Sequence, residues 1–254
     1  MWQFNSPKIV FGEDALSRLA DLVGQRAFII TDANMVQLGF VGQVQQILED
    51  NGIQHGYFAE VEPEPSIETA MNARKALIDF QPDIVIGLGG GSCLDVCKVA
   101  WFMYERPEMA LEEISPFEDY VVGNSQLVAI PTTSGTGADV SVGVVLTDKA
   151  ASQKLVVYAV DFQPKLTILD PSLVTGLPRQ ITADTGLDVV SHAVEGFASP
   201  WHNDFSDAMC LRSMQLVLKY LPQAYADGSN LEARDHMHNA ATMAGIGMTN
   251  ASIS

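Results

Sequence analysis

The sequence is poor in cysteine and in basic residues. Its 254 residues include 3 cysteines, and 14 Lys and Arg stand against 31 Asp and Glu, which gives a formal net charge of −17. The odd number of cysteines fits the reduced thiols of a cytoplasmic protein. The length of 254 residues allows enough burial for a self-sufficient core, which excludes a mini-protein that needs disulfide or zinc staples. The shortage of clustered cations argues against nucleic acid or an anionic membrane surface as a partner.

Long hydrophobic runs are also absent. No apolar stretch approaches the ~20 residues of a membrane-spanning helix. The first residues lack the basic segment followed by an apolar one that marks a secretory signal peptide. We therefore predict a cytoplasmic protein without a membrane partner.

Residues 1–178 alternate short apolar runs with helical patterns. Runs at 27–30, 83–88 and 127–130 have the near-continuous hydrophobicity of strands buried on both faces. This alternation predicts an α/β fold, a Rossmann-like and mostly parallel sheet covered by helices. Residues 179–254 show helical patterns and no strand-like run, so we predict a second, all-helical domain there.

A glycine-rich turn follows the strand pattern at 83–88. It comprises Gly89, Gly90, Gly91 and Ser92, and a helical pattern begins there. Bare backbone and the N–H groups at a helix start suit a phosphate group, although a plain strand–helix connection is the alternative. Lys98, further along that helix, would neutralise phosphate or lie on the solvated surface.

Polar residues follow two other strand patterns. Asp32 ends the run at 27–30, where a carboxylate can bind both hydroxyls of an adenosine ribose and repel a 2′-phosphate, which favours NAD over NADP. The alternative for Asp32 is a turn residue or a helix cap. The segment IPTTSGTGAD at 130–139 gathers four hydroxyl residues and two glycines, which suits hydrogen bonds to a base, ribose or phosphate.

Asp188 and His192 are spaced four residues apart in a helical pattern. Both side chains would leave the same helix face, and a carboxylate with an imidazole makes half of a divalent metal site. The alternative is a capping carboxylate beside a hydrogen-bonded histidine.

These segments together resemble the iron-containing, or group III, alcohol dehydrogenase family. The resemblance rests on the Thr-Asp at 31–32, the GGGS turn with Asp95 and Lys98, IPTTSGTGAD, ADTGLDVVSHAVEGF, and MHNAATMAG at 237–245. It implies an N-terminal α/β domain that binds NAD(P), a helical domain, and a divalent metal, iron or zinc, in the cleft between them.

The family's dinucleotide-contacting positions match residues spread over the α/β domain: Asp32, Gly89, Gly90, Gly91, Ser92, Asp95, Thr132, Thr133, Thr136 and Lys154. By this match, Asp32 would bind the adenosine ribose and 89–92 would hold the pyrophosphate. Asp95 would lie near the nicotinamide, the threonines would line the groove, and Lys154 would approach the ribose. Asp188 and His192 would be metal ligands. No residue is predicted as the general acid or base.

One departure from the family concerns the metal. The family's site has one Asp and three His, and the last two His lie beyond the segment that resembles 245–254. We predict no replacement by His202, His236 or His238, so we expect the helical domain to be incomplete relative to the family.

The resemblance implies a metal-dependent, NAD-linked alcohol dehydrogenase or aldehyde reductase that moves a hydride between a small alcohol and nicotinamide. The alternative is a catalytically incomplete dinucleotide-binding fragment with half of the metal site. A weaker one is metal-dependent elimination on sugar phosphates, as in dehydroquinate synthase, for which few basic residues are available. A homodimer is expected from the resemblance alone.

Overall fold

The strands alternate with helices along the first part of the chain. The computed structural model describes residues 3–251. The strands are β1 (Lys8–Phe11), β2 (Arg26–Ile30), β3 (Gln54–Phe58), β4 (Ile84–Gly89), β5 (Gln126–Pro131), β6 (Gly143–Asp148), β7 (Gln153–Tyr158) and β8 (Leu166–Leu169). The helices are α1 (Ala33–Gln37), α2 (Phe40–Asp50), α3 (Ile67–Phe80), α4 (Gly91–Glu105), α5 (Arg179–Ala198), α6 (Asp204–Ala226) and α7 (Leu231–Asn250).

Six strands form one sheet in the order β1-β8-β5-β4-β2-β3, and all of its pairings are parallel. Side chains along β4 alternate between two cores. Val85 packs in a cluster with residues of α3 and α4, whereas Ile84 and Ile86 pack on the other face with residues of α2. Apolar burial on both faces explains the near-continuous hydrophobic runs and confirms the predicted parallel α/β fold.

The helical region follows β8. Helices α5, α6 and α7 share one core that includes Val189, Val217 and Met237. No strand follows β8 in the described part of the chain, which confirms the predicted change of pattern. The domain boundary at 178/179 falls directly before α5 and stays a prediction.

A two-stranded antiparallel hairpin of β6 and β7 lies outside the main sheet. It is held to the start of α3 by Thr147, whose N–H donates to Pro65 O at 2.8 Å, and by Lys149, whose Nζ lies 3.1 Å from Glu62 Oε1. Glu62 also accepts hydrogen bonds from the hydroxyls of Ser66, at 2.9 Å, and Thr69, at 2.6 Å. The Glu62 carboxylate therefore ties the hairpin to the sheet domain.

The charge of Glu62 is stabilised by these contacts. Partial burial raises its pKa, but the hydrogen bonds from Thr69, Ser66 and Lys149 outweigh that effect, and the net result is a pKa of about 2.

None of the helices within residues 3–251 combines the length and the apolar character required to cross a membrane.

We predict that Glu62→Gln lowers the free energy of unfolding at pH 7 by about 1 kcal/mol, because one acceptor of a hydrogen-bonded cluster is lost. A carboxyl group with a depressed folded-state pKa stabilises the fold above its ordinary pKa, and this contribution is lost as the pH falls towards 2. The difference between parent and variant should therefore shrink as urea unfolding is repeated between pH 4.5 and pH 2. Exposed Glu13→Gln is the control; an equal pH dependence in both variants would contradict the assignment.

Candidate functional site

Three neighbouring strands end at the same edge of the sheet. β5, β4 and β2 are adjacent and parallel, and their carboxyl ends lead to Thr132, Gly90 and Asp32 respectively. This edge is where open parallel sheets bind ligands. All three residues line one cleft with a volume of about 1470 Å³, which is large enough for a dinucleotide.

The glycine-rich turn opens helix α4. Gly89 has φ of 147°, which favours glycine, and Gly90 is the helix N-cap. A Cβ on Gly91 would lie 2.8 Å from Thr136 Cγ2, so the turn and the threonine loop pack together only because that atom is missing. The N–H groups of Gly91 and Ser92 make no hydrogen bond within the described residues, whereas the N–H of Cys93 donates to Gly90 O at 3.0 Å. Gly90, Gly91 and Ser92 line the cleft. This cradle fits a phosphate group.

Asp32 caps a helix and lines the same cleft. Its Oδ1 accepts hydrogen bonds from the N–H groups of Asn34, at 2.7 Å, and Met35, at 3.0 Å. Its Oδ2 accepts a hydrogen bond from Cys93 Sγ at 3.4 Å. Asp32 can therefore be both a helix cap and a ligand-binding residue, because its Oδ1 caps α1 while the side chain still lines the cleft.

Sequence reasoning did not single out Cys93 as a partner of Asp32. Burial, with the nearby Asp32 charge, raises the pKa of the Cys93 thiol far above its ordinary value, so the thiol stays protonated and donates. The contact joins residues 61 positions apart in the sequence, so no local sequence pattern predicts it.

Asp95 and Lys154 reach the cleft near the hairpin. Asp95 Oδ2 accepts a hydrogen bond from the N–H of Val145 in β6 at 2.9 Å. Burial raises the pKa of Asp95 to about 6, while the Lys98 charge and the Val145 N–H act in the opposite direction. Lys154 Nζ lies 3.9 Å from Glu64 Oε1, a loose and exposed ion pair that leaves the ammonium free to move.

Both expectations for Lys98 are wrong. Its side chain is 1% exposed and is absent from the cleft lining. The ammonium instead donates to Ser141 O at 2.7 Å and to Ser141 Oγ at 3.0 Å. Burial lowers the pKa of Lys98 to about 8, although the carboxylates of Asp95 and Asp139 oppose the shift. Lys98 is thus a buried link between α4 and the segment after β5.

Asp188 and His192 lie on α5 and line the cleft. Asp188 Oδ1 is 3.5 Å from His192 Nε2, close to the roughly 3.4 Å between two ligands bound at about 2.1 Å with tetrahedral angles. His192 Nδ1 is buried and makes no hydrogen bond with any described residue. The pair fits two ligands of a divalent metal.

The described residues, 3–251, contain no cluster of three metal-ligating side chains. The other candidate histidines are engaged elsewhere. His202 Nδ1 lies 3.0 Å from Asp207 Oδ2, and His236 stacks on Tyr220 at a centroid distance of 4.0 Å. His238 is buried and shares a hydrogen bond with Ser134.

The cleft thus brings together every predicted site residue except Gly89, which shapes the turn behind it. The cleft-lining members of the predicted set are Asp32, Gly90, Gly91, Ser92, Asp95, Thr132, Thr133, Thr136, Lys154, Asp188 and His192.

Comparison with known proteins identifies the family. Residues 6–171 match the family described as iron-containing alcohol dehydrogenase, and residues 182–254 match the C-terminal part of the Fe-containing alcohol dehydrogenase family. The chain belongs to the iron-containing alcohol dehydrogenase family, whose members bind NAD(P) and a metal.

Three relatives illustrate the match. An aldehyde-alcohol dehydrogenase of Streptococcus pneumoniae serotype 4 is 35% identical over 98% of this chain and 30% of its own length. An NADPH-dependent butanol dehydrogenase of Clostridium saccharobutylicum is 32% identical over 99% of this chain and 65% of its own. The structure of an iron-containing alcohol dehydrogenase from Thermococcus thioreducens superposes with a TM-score of 0.90 at 32% identity, covering 99% of this chain and 67% of that one. The chain therefore spans about a third to two thirds of these relatives.

We predict that Gly90→Val weakens NADH binding at least about tenfold, because a side chain would occupy the space that phosphate oxygens need. The fold should survive, since a Cβ at Gly90 would lie no closer than 3.4 Å to Thr133 Cγ2. Fluorescence titration with NADH measures the effect, and thermal unfolding checks the fold. Gly42→Ala in α2, where a Cβ meets nothing within 4 Å, is the control. If Gly90→Val binds NADH as tightly as the parent does, the glycine-rich turn is only a strand–helix connection and does not bind phosphate.

Proposed function

We propose that this chain binds NAD and serves NAD-linked, metal-dependent oxidation of a small alcohol or reduction of the corresponding aldehyde. The observation that carries the proposal is the convergence, on one cleft, of a phosphate cradle at 90–92, the Asp32 carboxylate and the Asp188/His192 pair. A dinucleotide held at the sheet edge would thus share the cleft with a substrate bound near α5.

Each group of residues has a proposed task. The Asp32 carboxylate binds the adenosine ribose, and the N–H groups of 90–92 hold the pyrophosphate. Thr132, Thr133 and Thr136 line the groove, Lys154 reaches the ribose, and Asp95 orients the nicotinamide. Holding the reacting carbons in one geometry is the main service that such residues perform.

Asp188 and His192 are the proposed metal-binding residues, and iron and zinc both suit this donor set. A bound divalent metal supplies a Lewis acid that lowers the pKa of an alcohol. The chain's own contribution is to hold an anionic and a neutral ligand at fixed spacing on a helix. We assign no residue of the cleft as general base, and we propose that solvent or cofactor hydroxyls carry the proton.

NAD is the proposed cofactor in preference to NADP. A carboxylate at the ribose position repels a 2′-phosphate, and the net charge of −17 adds unfavourable potential for the more anionic cofactor. One relative is named an NADPH-dependent butanol dehydrogenase, so membership of the family does not decide between the two cofactors. The proposed preference for NAD therefore rests on Asp32 of this chain.

A second candidate function is dinucleotide binding without turnover. It is favoured by the absence of a third metal-ligating side chain near Asp188 and His192 among residues 3–251. Two protein ligands leave most of a metal's coordination to water and give weak binding.

Location and assembly complete the proposal. We propose a cytoplasmic location, which the free thiols of Cys93, Cys97 and Cys210 support. A homodimer follows from family resemblance alone. The acidic composition favours a small-molecule substrate and no nucleic-acid partner.

We predict that Asp32→Ser lowers the preference for NADH over NADPH by about tenfold or more. Serine keeps the helix cap while removing the charge that repels the 2′-phosphate. The ratio of the two dissociation constants, from fluorescence titration, is the readout. Asp79→Ser on α3 makes the same change in net charge away from the cleft and should leave the ratio unaltered. A parent that binds both cofactors equally would contradict the role of Asp32.

The activity itself is tested under argon with added Fe²⁺ or Zn²⁺, NAD⁺ and a panel of primary alcohols. The dehydrogenase proposal predicts NAD⁺ reduction and bound metal, and it predicts that His192→Ala loses both, because that variant removes one of the two proposed ligands. His202→Ala is the matched control, since it breaks another His–Asp pair outside the cleft. NADH binding without metal-dependent turnover would establish the second candidate instead, and neither binding nor turnover would contradict both.

A further inference from the structure

The loop between β5 and β6 lies between the cleft and helix α7. Its residues Thr132, Thr133 and Thr136 line the cleft. Few bonds within the loop fix its shape; among them, Ala138 N–H donates to Thr136 Oγ1 at 3.2 Å, and Ser141 N–H donates to Gly137 O at 3.0 Å. The position of the threonines must therefore depend on what packs behind them.

Helix α7 contacts the back of this loop through residues spaced along one helix face. His238 Nδ1 and Ser134 Oγ are 3.0 Å apart. One turn later, Thr242 Oγ1 donates to Asp139 Oδ2 at 2.8 Å. Both hydrogen bonds are buried, so each would be costly to leave unmade.

The third contact is backbone against backbone. A Cβ on Gly245 would lie 2.9 Å from Gly137 Cα, and a Cβ on Gly137 would lie 2.7 Å from Gly245 Cα. Gly137 also has φ of 64°, which disfavours other residues. His238, Thr242 and Gly245 follow the i, i+4, i+7 spacing of a single face, which we call the α7 clamp face.

The end of the loop is fixed from the other side. Lys98 of α4 donates to both the carbonyl and the hydroxyl of Ser141, and Thr167 Oγ1 of β8 donates to Asp139 O at 2.6 Å. These bonds hold 139–141 to the sheet domain. The middle of the loop, which carries the threonines, packs against the glycine turn where Thr136 meets Gly91 and against α5 where Gly135 meets Thr185. Its side-chain hydrogen bond to another element comes from His238 of the α7 clamp face.

We propose that the α7 clamp face positions the threonine loop for the dinucleotide, so that His238, Thr242 and Gly245 are positioning residues for a cofactor that they do not touch. This inference rests on the proposed NAD-binding function. It makes cofactor affinity depend on the packing of the helical region, and by thermodynamic linkage bound dinucleotide would in turn stabilise α7 against the loop.

The test compares two variants that each remove one buried hydrogen bond of α7. Thr242→Val keeps the side-chain volume and leaves the Asp139 carboxylate short of a donor. Ser213→Ala removes the bond from Ser213 Oγ to Ala240 O, which is 2.7 Å long and joins α7 to α6 away from the loop. Both variants should lower the melting temperature.

Of these two variants, only Thr242→Val should weaken NADH binding, by about fivefold or more in fluorescence titration, which is the factor that corresponds to the low end of the cost of an unsatisfied buried acceptor. Thr242→Ser restores the hydroxyl and should bind NADH within about twofold of the parent. Ser134→Ala, which cuts the clamp from the loop side, should weaken binding in the same direction as Thr242→Val. Equal affinity losses in Thr242→Val and Ser213→Ala, or none in Thr242→Val, would overturn the proposal.

Hydrogen–deuterium exchange without cofactor separates this proposal from the proposed function. Thr242→Val should accelerate exchange of amides at 132–139, and Ser213→Ala should not. If the parent binds no NADH, the proposed NAD-binding function is refuted. The positioning role is then refuted as well, even if the exchange data show that α7 holds the loop. If the parent binds NADH and loop exchange is unchanged in Thr242→Val, the clamp alone is refuted.

Discussion

The parallel alignment of β2, β4 and β5 is the constraint on which the site depends. Because adjacent parallel strands end at one edge, the segments after them meet whatever their separation in sequence. Asp32, Gly90 and Thr132 come together in this way. Helix α4 then starts at the middle strand, so that its unpaired N–H groups face the same space as the neighbouring loops.

Two sets of polar contacts hold this edge in shape, one at the cleft surface around Asp32 and one buried around Lys98. Asp32 is bound on one oxygen by the first turn of α1 and on the other by Cys93 of α4. Lys98 ties α4 to Ser141 beyond the threonine loop. Bonds of this kind contribute little net stability while made and cost more when one partner is removed. They join α1, α4 and the segment after the threonine loop at the edge of the cleft.

Much of this arrangement could be predicted from sequence because its determinants are local. Continuous apolar runs mark β4 and β5, and the glycine turn and Asp32 follow their strands directly. Asp188 and His192 share a helix face by spacing alone. Lys98 could not be assigned, since its partner Ser141 is 43 residues away. The contact of Ser134 with His238 spans 104 residues and leaves no periodic pattern in either segment.

The central claim is that a dinucleotide binds across the carboxyl ends of β2, β4 and β5. Hydrogen–deuterium exchange of the protein with and without saturating NADH tests it most directly. The account predicts protection of amides near 32–35, 90–95 and 132–136, with little change along β1 and the start of β8. Protection confined to other segments, or no protection at saturating NADH, would contradict it.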